Sequence, residues 1–283
     1  MCGLYDVRME SVQQQNLRLG VVNFLNATPL IDGISTVQGI DLVPKVPSEL
    51  TGCLERGEVD IALSSSIDYQ RSEEQLCILP VGALSSEGET LTVRLCSTEP
   101  LGKISVVHCD TDSHTSVALL QIILKNKYGI TPDVIPCDVR KHSSSNTRLP
   151  ETVLLIGDKV VTSVNDGLYP YQLDLGYAWH EQTGLPFVFA TWFGCSTLDT
   201  SLVQRAHMVL DRQLRRNRTR IEQVVSSSAP ERGWDVDVAC RYLTENIQYS
   251  FSETHIQSLE LFYDLAVSVG ALESVKPLRF YGA

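Results

Sequence analysis

Lys103-Ile104-Ser105-Val106-Val107-His108 leads through Cys109 into Asp110-Thr111-Asp112-Ser113-His114-Thr115-Ser116, and the chain then runs without a breaker to Gly129. The first run has the apolar bias of a strand, the second is rich in capping residues, and the third carries helical spacing with Gly129 as its stop signal. The same strand, polar turn, helix sequence has already occurred upstream. Leu17-Arg18-Leu19-Gly20-Val21-Val22 predicts a strand, and Asn26-Ala27-Thr28-Pro29-Leu30 opens a helix with Asn26 as its cap. Residues 41–46 predict a second strand. A short helix follows from Ser48 to Gly57, then a third strand over 60–63 ending in Ser64-Ser65-Ser66 and a helix through Tyr69. Residues 76–83 and 90–97 predict two more strands joined by the turn Ser85-Ser86-Glu87-Gly88. The pattern therefore stops and restarts near residue 97.

After the restart, residues 134–136 and 153–156 predict strands, 142–148 a polar loop, 174–183 a helix and 187–192 an aromatic strand. The tail is helical. Leu202, Ala206, Val209 and Val224 share one long amphipathic pattern. Ile256, Leu259, Phe262, Ala266 and Val269 share another, with Ser250 and Glu253 as a capping-box pair before it. Alternating strands and helices give an α/β class with mixed, largely parallel sheets and a helical C-terminal tail.

The 283 residues suit about two domains at roughly 150 residues each. With 34 acidic against 23 basic residues the net charge is −11, which argues against a nucleic-acid partner. It leaves an anionic small molecule open, because backbone amides can hold an anion under a negative surface. No run approaches the apolar length of a membrane helix. The polar N-terminus lacks the apolar core of a signal peptide, and only Met1 precedes Cys2. The expectation is a cytoplasmic protein without a membrane partner. The eight cysteines form no C-x-x-C pair and mostly sit among apolar residues, so they read as buried thiols. Cys109, ahead of a helix start, is the least implausible nucleophile. The basic run from Arg215 to Arg220 reads as a solvated helix face.

Small polar residues gather where strands end and helices begin: 23–28, Ser64 to Ser66, 110–116 and Gly157-Asp158. Ligands of open α/β sheets collect at such carboxyl ends. The 111–116 stretch reads either as a carboxylate clamp, from the Ser113 and Thr115 hydroxyls with backbone amides, or as ordinary capping. His114 faces a ligand or the surface. G-x-S-x-G, G-x-G-x-x-G, the P-loop and H-E-x-x-H patterns are missing, and no His pair has metal-ligand spacing. Neither a cofactor nor a metal is expected.

These segments, taken in order, resemble the futalosine-route chorismate dehydratase family of menaquinone biosynthesis. The resemblance is carried by Gly20-Val21-Val22-Asn23-Phe24-Leu25-Asn26-Ala27-Thr28-Pro29-Leu30 and by Gly57-Glu58-Val59-Asp60-Ile61-Ala62-Leu63 with Ser65-Ser66-Ile67-Asp68-Tyr69. It continues in Asp110-Thr111 with Thr115-Ser116-Val117-Ala118, Ile156-Gly157-Asp158-Lys159, Asp174-Leu175-Gly176 with Trp179, and Thr183-Gly184-Leu185-Pro186-Phe187. Two departures stand out. Tyr177-Ala178 replaces an acidic pair, and Asp112 with His114 stand where Ser and Arg are expected. The resemblance implies the two-lobe fold of type II periplasmic binding proteins. Lobe 1 would comprise residues 1–95 and 195–283, lobe 2 residues 96–194, with the active site in the cleft and crossings near Cys96 and Phe193. It implies dehydration of chorismate to 3-[(1-carboxyvinyl)oxy]benzoate. Asn26 would lie closest to the chemistry, and Ser65, Ser66, Ser86, Thr111, Ser113, His114, Thr115 and Asp158 would line the substrate. A non-catalytic binder of a carboxylated metabolite, or the related 1,4-dihydroxy-6-naphthoate synthase, are the alternatives. Oligomeric state is left open.

Overall fold

The computed structural model describes residues 16–140, 149–163 and 166–282; the loop expected at 142–148 and Cys2 lie outside them. Within the described residues ten strands form two five-stranded sheets. The first holds β1 (Leu17–Val22), β2 (Ile40–Lys45), β3 (Ile61–Ser65), β4 (Leu76–Ser86) and β10 (Phe187–Cys195), in the order β2-β1-β3-β10-β4. The second holds β5 (Val93–Ser97), β6 (Val106–Asp110), β7 (Asp133–Cys137), β8 (Thr152–Ile156) and β9 (Tyr171–Asp174), in the order β7-β6-β8-β5-β9.

The two sheets share one plan. In each, a first strand pairs in parallel with two neighbours, β1 with β2 and β3, and β6 with β7 and β8. In each, the fourth place is taken by a strand antiparallel to both neighbours, β10 in the first and β5 in the second. The sheets are thus mixed, with parallel pairings making up half. β5 and β10 are the strands on which the chain enters one sheet after leaving the other. This architectural repeat leaves no fixed period in the sequence.

Strand membership also moves the crossings. Cys96 lies inside β5, paired with Val153 and Gln172 of the second sheet. Phe193 lies inside β10, paired with Ala62 and Ile78 of the first. The changeovers therefore fall in residues 87–92 and 184–186 rather than near Cys96 and Phe193. Ser85 and Ser86, expected in a turn between neighbouring strands, are the last residues of β4. β9 carries no strand signal, because Tyr171-Gln172-Leu173-Asp174 holds no apolar run. Asp174 ends β9 and caps the helix Leu175–Thr183, its carboxylate accepting from the N–H groups of Gly176 and Tyr177.

The tail breaks where a continuous pattern was expected. Thr200–Arg218 and Ile221–Ser228 are separate helices. Asn217, fully buried amid exposed arginines, donates to the carbonyls of Pro29 and Asp32 and fixes the end of the first one. The capping box of Glu253–Ser268 is Ser252 with His255, two residues beyond the expected pair. His255 supplies from Nδ1 the acceptor that Glu would have supplied. An aromatic cluster joins the lobes. Trp179 of the second packs edge-on against Phe187 and Phe262 of the first, and its Nε1 donates to Ser258 Oγ at 3.2 Å. Burying side chains of this size contributes about 2–3 kcal/mol each.

Candidate active site

Between the lobes lies a narrow cavity of about 40 Å³. Phe24, Asn26, Ser65, Thr90, Thr92, Ser113, Ser116, Gly157 and Phe189 are among the residues around it. Among the described residues, the side chains lining it are apolar or carry an amide or a hydroxyl. Asn26 Oδ1 and Ser65 Oγ are buried without a hydrogen-bond partner. Other buried polar atoms share that state, Thr191 Oγ1 and Tyr249 OH among them, but Asn26 and Ser65 are the two that line the cavity. An unpaired buried acceptor costs about 1–3 kcal/mol, which a bound ligand can recover.

Asn26 does not cap a helix. It sits inside the tight turn Leu25–Ala27, held from across the cleft, where Leu25 N–H donates to Asp158 at 3.2 Å. Beside it is Tyr242, whose hydroxyl is 2.7 Å from Thr92 Oγ1. Burial lifts the Tyr242 phenol well above its ordinary range, against hydrogen bonds from Thr92 and Asn26, so it is a neutral hydroxyl. Ser86 is fully buried with an unpartnered hydroxyl and lies against Gly176 rather than on the cavity wall.

The remaining expected ligands have other work. Ser66 Oγ donates to the carbonyl of Val188 at 2.7 Å. Thr115 Oγ1 accepts from Ile67 N–H at 3.2 Å, so a residue of lobe 2 receives the start of a lobe 1 helix. His114 Nδ1 lies 2.9 Å from the buried Asp68 carboxylate, also across the lobes. Asp158 accepts from Leu25, and burial raises its pKa despite that bond. Ser113 lines the cavity, but its Oγ already accepts from Ser116 N–H as the cap of His114–Tyr128. Thr111 is exposed and lines a separate outer groove. Thus much of the expected carboxylate clamp is capping and lobe-to-lobe bonding. Cys109 is no nucleophile either, because burial pushes its thiol up to about 12.

Sequence reading missed Thr90, Thr92 and Tyr242, which carry no motif and meet only when the crossing segment packs on the tail. It also missed a buried charge cluster beside the cleft. Lys159 Nζ lies 2.5 Å from Asp110 and 2.6 Å from Asp112, and Arg140 reaches Asp112 at 3.1 Å. Burial raises the Asp110 pKa, partly offset by Lys159. The nearest lysine is thereby neutralised. Among the described residues no group of three or more His, Cys, Asp or Glu is arranged around a metal site, and no helix is long and apolar enough to cross a membrane.

Two sheets of one plan, closed over a small, mainly apolar cavity with a few hydroxyls and one amide, define the class: a two-lobe α/β protein of the periplasmic-binding-protein fold. Solved structures agree. A protein of Archaeoglobus fulgidus superposes with TM-score 0.74 at 14% identity, covering 92% of this chain and all of its own. The alkanesulfonate-binding protein SsuA of Xanthomonas axonopodis pv. citri, bound to MOPS, gives 0.67 at 16% identity over 91% of this chain and 94% of its own. More specifically, the menaquinone biosynthesis family matches residues 17–268, and the chain belongs to that family. It is 31% identical over 189 residues to the chorismate dehydratase of Thermus thermophilus, covering 62% of this chain and 68% of the relative.

Proposed function

We propose that the protein is a hydro-lyase that converts chorismate to 3-[(1-carboxyvinyl)oxy]benzoate and water, with the interlobe cleft as its active site. The observation that carries this reading is the pair of unpartnered buried groups, Asn26 Oδ1 and Ser65 Oγ, in a cavity whose other side chains are neutral. The family and the Thermus thermophilus relative support it.

The chemistry suits such a wall. The C3–H and C4–O bonds of chorismate break, a C3–C4 double bond forms, and the ring becomes aromatic. Aromatisation supplies the driving force, so the protein need only orient a dianion and keep water out. An amide cannot act as the base at neutral pH. The substrate's own enolpyruvyl carboxylate takes the C3 proton and hands it to the departing hydroxyl, which leaves as water, and Asn26 hydrogen-bonds that carboxylate or the departing hydroxyl. A cavity of 40 Å³ holds a few waters rather than a ten-carbon ring acid, so substrate enters as the lobes part. Parting breaks Leu25–Asp158, Ile67–Thr115, His114–Asp68 and the bond from Ser48 N–H to the Asp112 carbonyl.

Ultraviolet spectra of chorismate with the purified protein, without added metal or cofactor, test the proposal. Loss of the diene band and growth of an aromatic one is the expected result. An unchanged spectrum with a ligand-dependent rise in melting temperature would instead make the protein a binder of a carboxylated metabolite.

A further inference from the structure

Leu91 has φ +63°, the one non-glycine residue in the left-handed region among the described residues. It lies in the crossing 87–92, between Thr90 and Thr92, both of which line the cavity. Its N–H donates to Asp174 at 2.8 Å, and Asp174 also accepts from Thr90 N–H at 3.0 Å and Thr90 Oγ1 at 3.2 Å. The same carboxylate caps the next helix through Gly176 and Tyr177, at 3.0 and 3.1 Å. A helix cap needs only the last two bonds. The bonds to Thr90 and Leu91 are additional, and they hold a backbone conformation that a leucine otherwise avoids. Such conformations persist where the surroundings over-determine them, and they cluster at functional sites.

We infer that Asp174 is a positioning residue for the dehydration proposed above: by holding Leu91 left-handed it sets the Thr92 hydroxyl against the reacting substrate, while the Thr90 hydroxyl stays on Asp174 itself. Thr92 then has three fixed points. Its N–H donates to the Thr90 carbonyl at 2.7 Å, its carbonyl accepts from Gly157 N–H at 2.8 Å, and its hydroxyl meets Tyr242. Asp174 touches no substrate atom in this scheme and acts only through the crossing.

The test uses the full chain with Asp174→Asn, Leu91→Gly and both together. The amide leaves one acceptor oxygen and turns an NH₂ group toward backbone donors, so Asp174→Asn lowers kcat for chorismate about 10- to 100-fold with KM changed less than about threefold. Glycine adopts the left-handed conformation freely. Adding Leu91→Gly therefore recovers about tenfold in kcat, while the melting temperature, lowered by the amide NH₂ turned toward buried backbone donors, stays low. Carbon chemical shifts of Leu91 give a readout independent of activity, leaving the left-handed range in Asp174→Asn. Leu91 staying left-handed in that variant, or kcat and melting temperature falling together with no recovery from glycine, would overturn the inference. A wild-type protein inert toward chorismate whose Leu91 shifts still depend on Asp174 would sink the dehydratase reading and the catalytic part of this one, and leave the positioning of the crossing standing.

Discussion

The backbone N–H of Leu25 and the carboxylate of Asp158 meet at 3.2 Å from opposite lobes, and the turn so gripped is the one that carries Asn26. A motif residue of the second lobe thus fixes a motif residue of the first. Removing the carboxylate frees the Leu25 amide and loosens the turn. Hydrogen bonds to charged groups contribute about 1.5–3 kcal/mol. Asp158→Ala is therefore expected to lower chorismate turnover about 10- to 100-fold, and Asp158→Asn, which keeps one acceptor, by less. Equal turnover in both variants and wild type would show that the grip has no bearing on the site.

Asn26→Ala separates binding from chemistry. The alanine removes the one cavity amide and its unpartnered Oδ1. Because the amide acts on charge that moves only during the reaction, kcat is expected to fall about 100-fold or more while chorismate still raises the melting temperature. Near-normal turnover in this variant would remove Asn26 from the chemistry.

The legible part of this molecule was the part built on local patterns. Among the described residues nine of the ten strands carry apolar runs, and β9, Tyr171–Asp174, does not, because its single aliphatic residue Leu173 stands between Gln172 and Asp174. Ser113 was legible as a cap because capping is local. Spacing alone does not show that Thr115, His114 and Asp158 also bond across the lobes, for a physical reason. A polar side chain at a strand end looks the same whether it meets a substrate or the opposite lobe. Thr90, Thr92 and Tyr242 come together only through the crossing and the tail, two segments about 150 residues apart in sequence. Their proximity leaves no trace in spacing.

Gly176→Ala has a sign that the fold decides. Inside an exposed helix the change would add about 0.5–1 kcal/mol of stability. Here the new Cβ would meet Thr90 Cγ2 at 2.3 Å, Ser86 Oγ at 2.5 Å and the Gly88 carbonyl at 2.7 Å. Overpacking of this kind costs about 1–3 kcal/mol, so the melting temperature should drop by several degrees. Because Thr90 and Gly88 belong to the crossing, turnover should fall with it. A melting temperature at or above that of wild type would show that the helix and crossing slide apart easily.

His255 gives the pH dependence a defined slope. It is buried, with Nε2 3.1 Å from Ser85 Oγ, and burial lowers its pKa below the ordinary histidine value, against a smaller pull from Glu87. The folded state therefore holds this proton less tightly than the unfolded chain. Its contribution is fully present above about pH 6.5 and is lost as pH falls from there through the lowered value. Wild type should lose more stability between about pH 7.5 and 5.5 than His255→Gln does. The comparison of the two slopes isolates this residue from the buried carboxylates Asp110, Asp158 and Asp174, whose raised pKa values act in the opposite direction. Parallel slopes would assign the acid sensitivity to another group.

The net charge of −11 bears on how a dianion reaches such a cleft. The long-range field of the chain repels a dianion such as chorismate, and among the described residues the cavity wall offers no cation to counter it, while Lys159 nearby is matched by Asp110 and Asp112. Recognition must then come from short-range groups, the amide of Asn26 and the hydroxyls of Ser65 and Thr92, acting after the ligand has crossed the repulsive zone. Salt screens the field over a Debye length of about 10 Å at 0.1 M and leaves hydrogen bonds inside a closed cavity largely untouched. The association rate, followed by stopped-flow fluorescence between about 0.02 M and 0.3 M salt, should therefore rise with ionic strength while the dissociation rate changes little. An association rate that falls as salt is added would mean that a positive patch steers the substrate, with Arg232, which acts on Asp158, the first place to look for it.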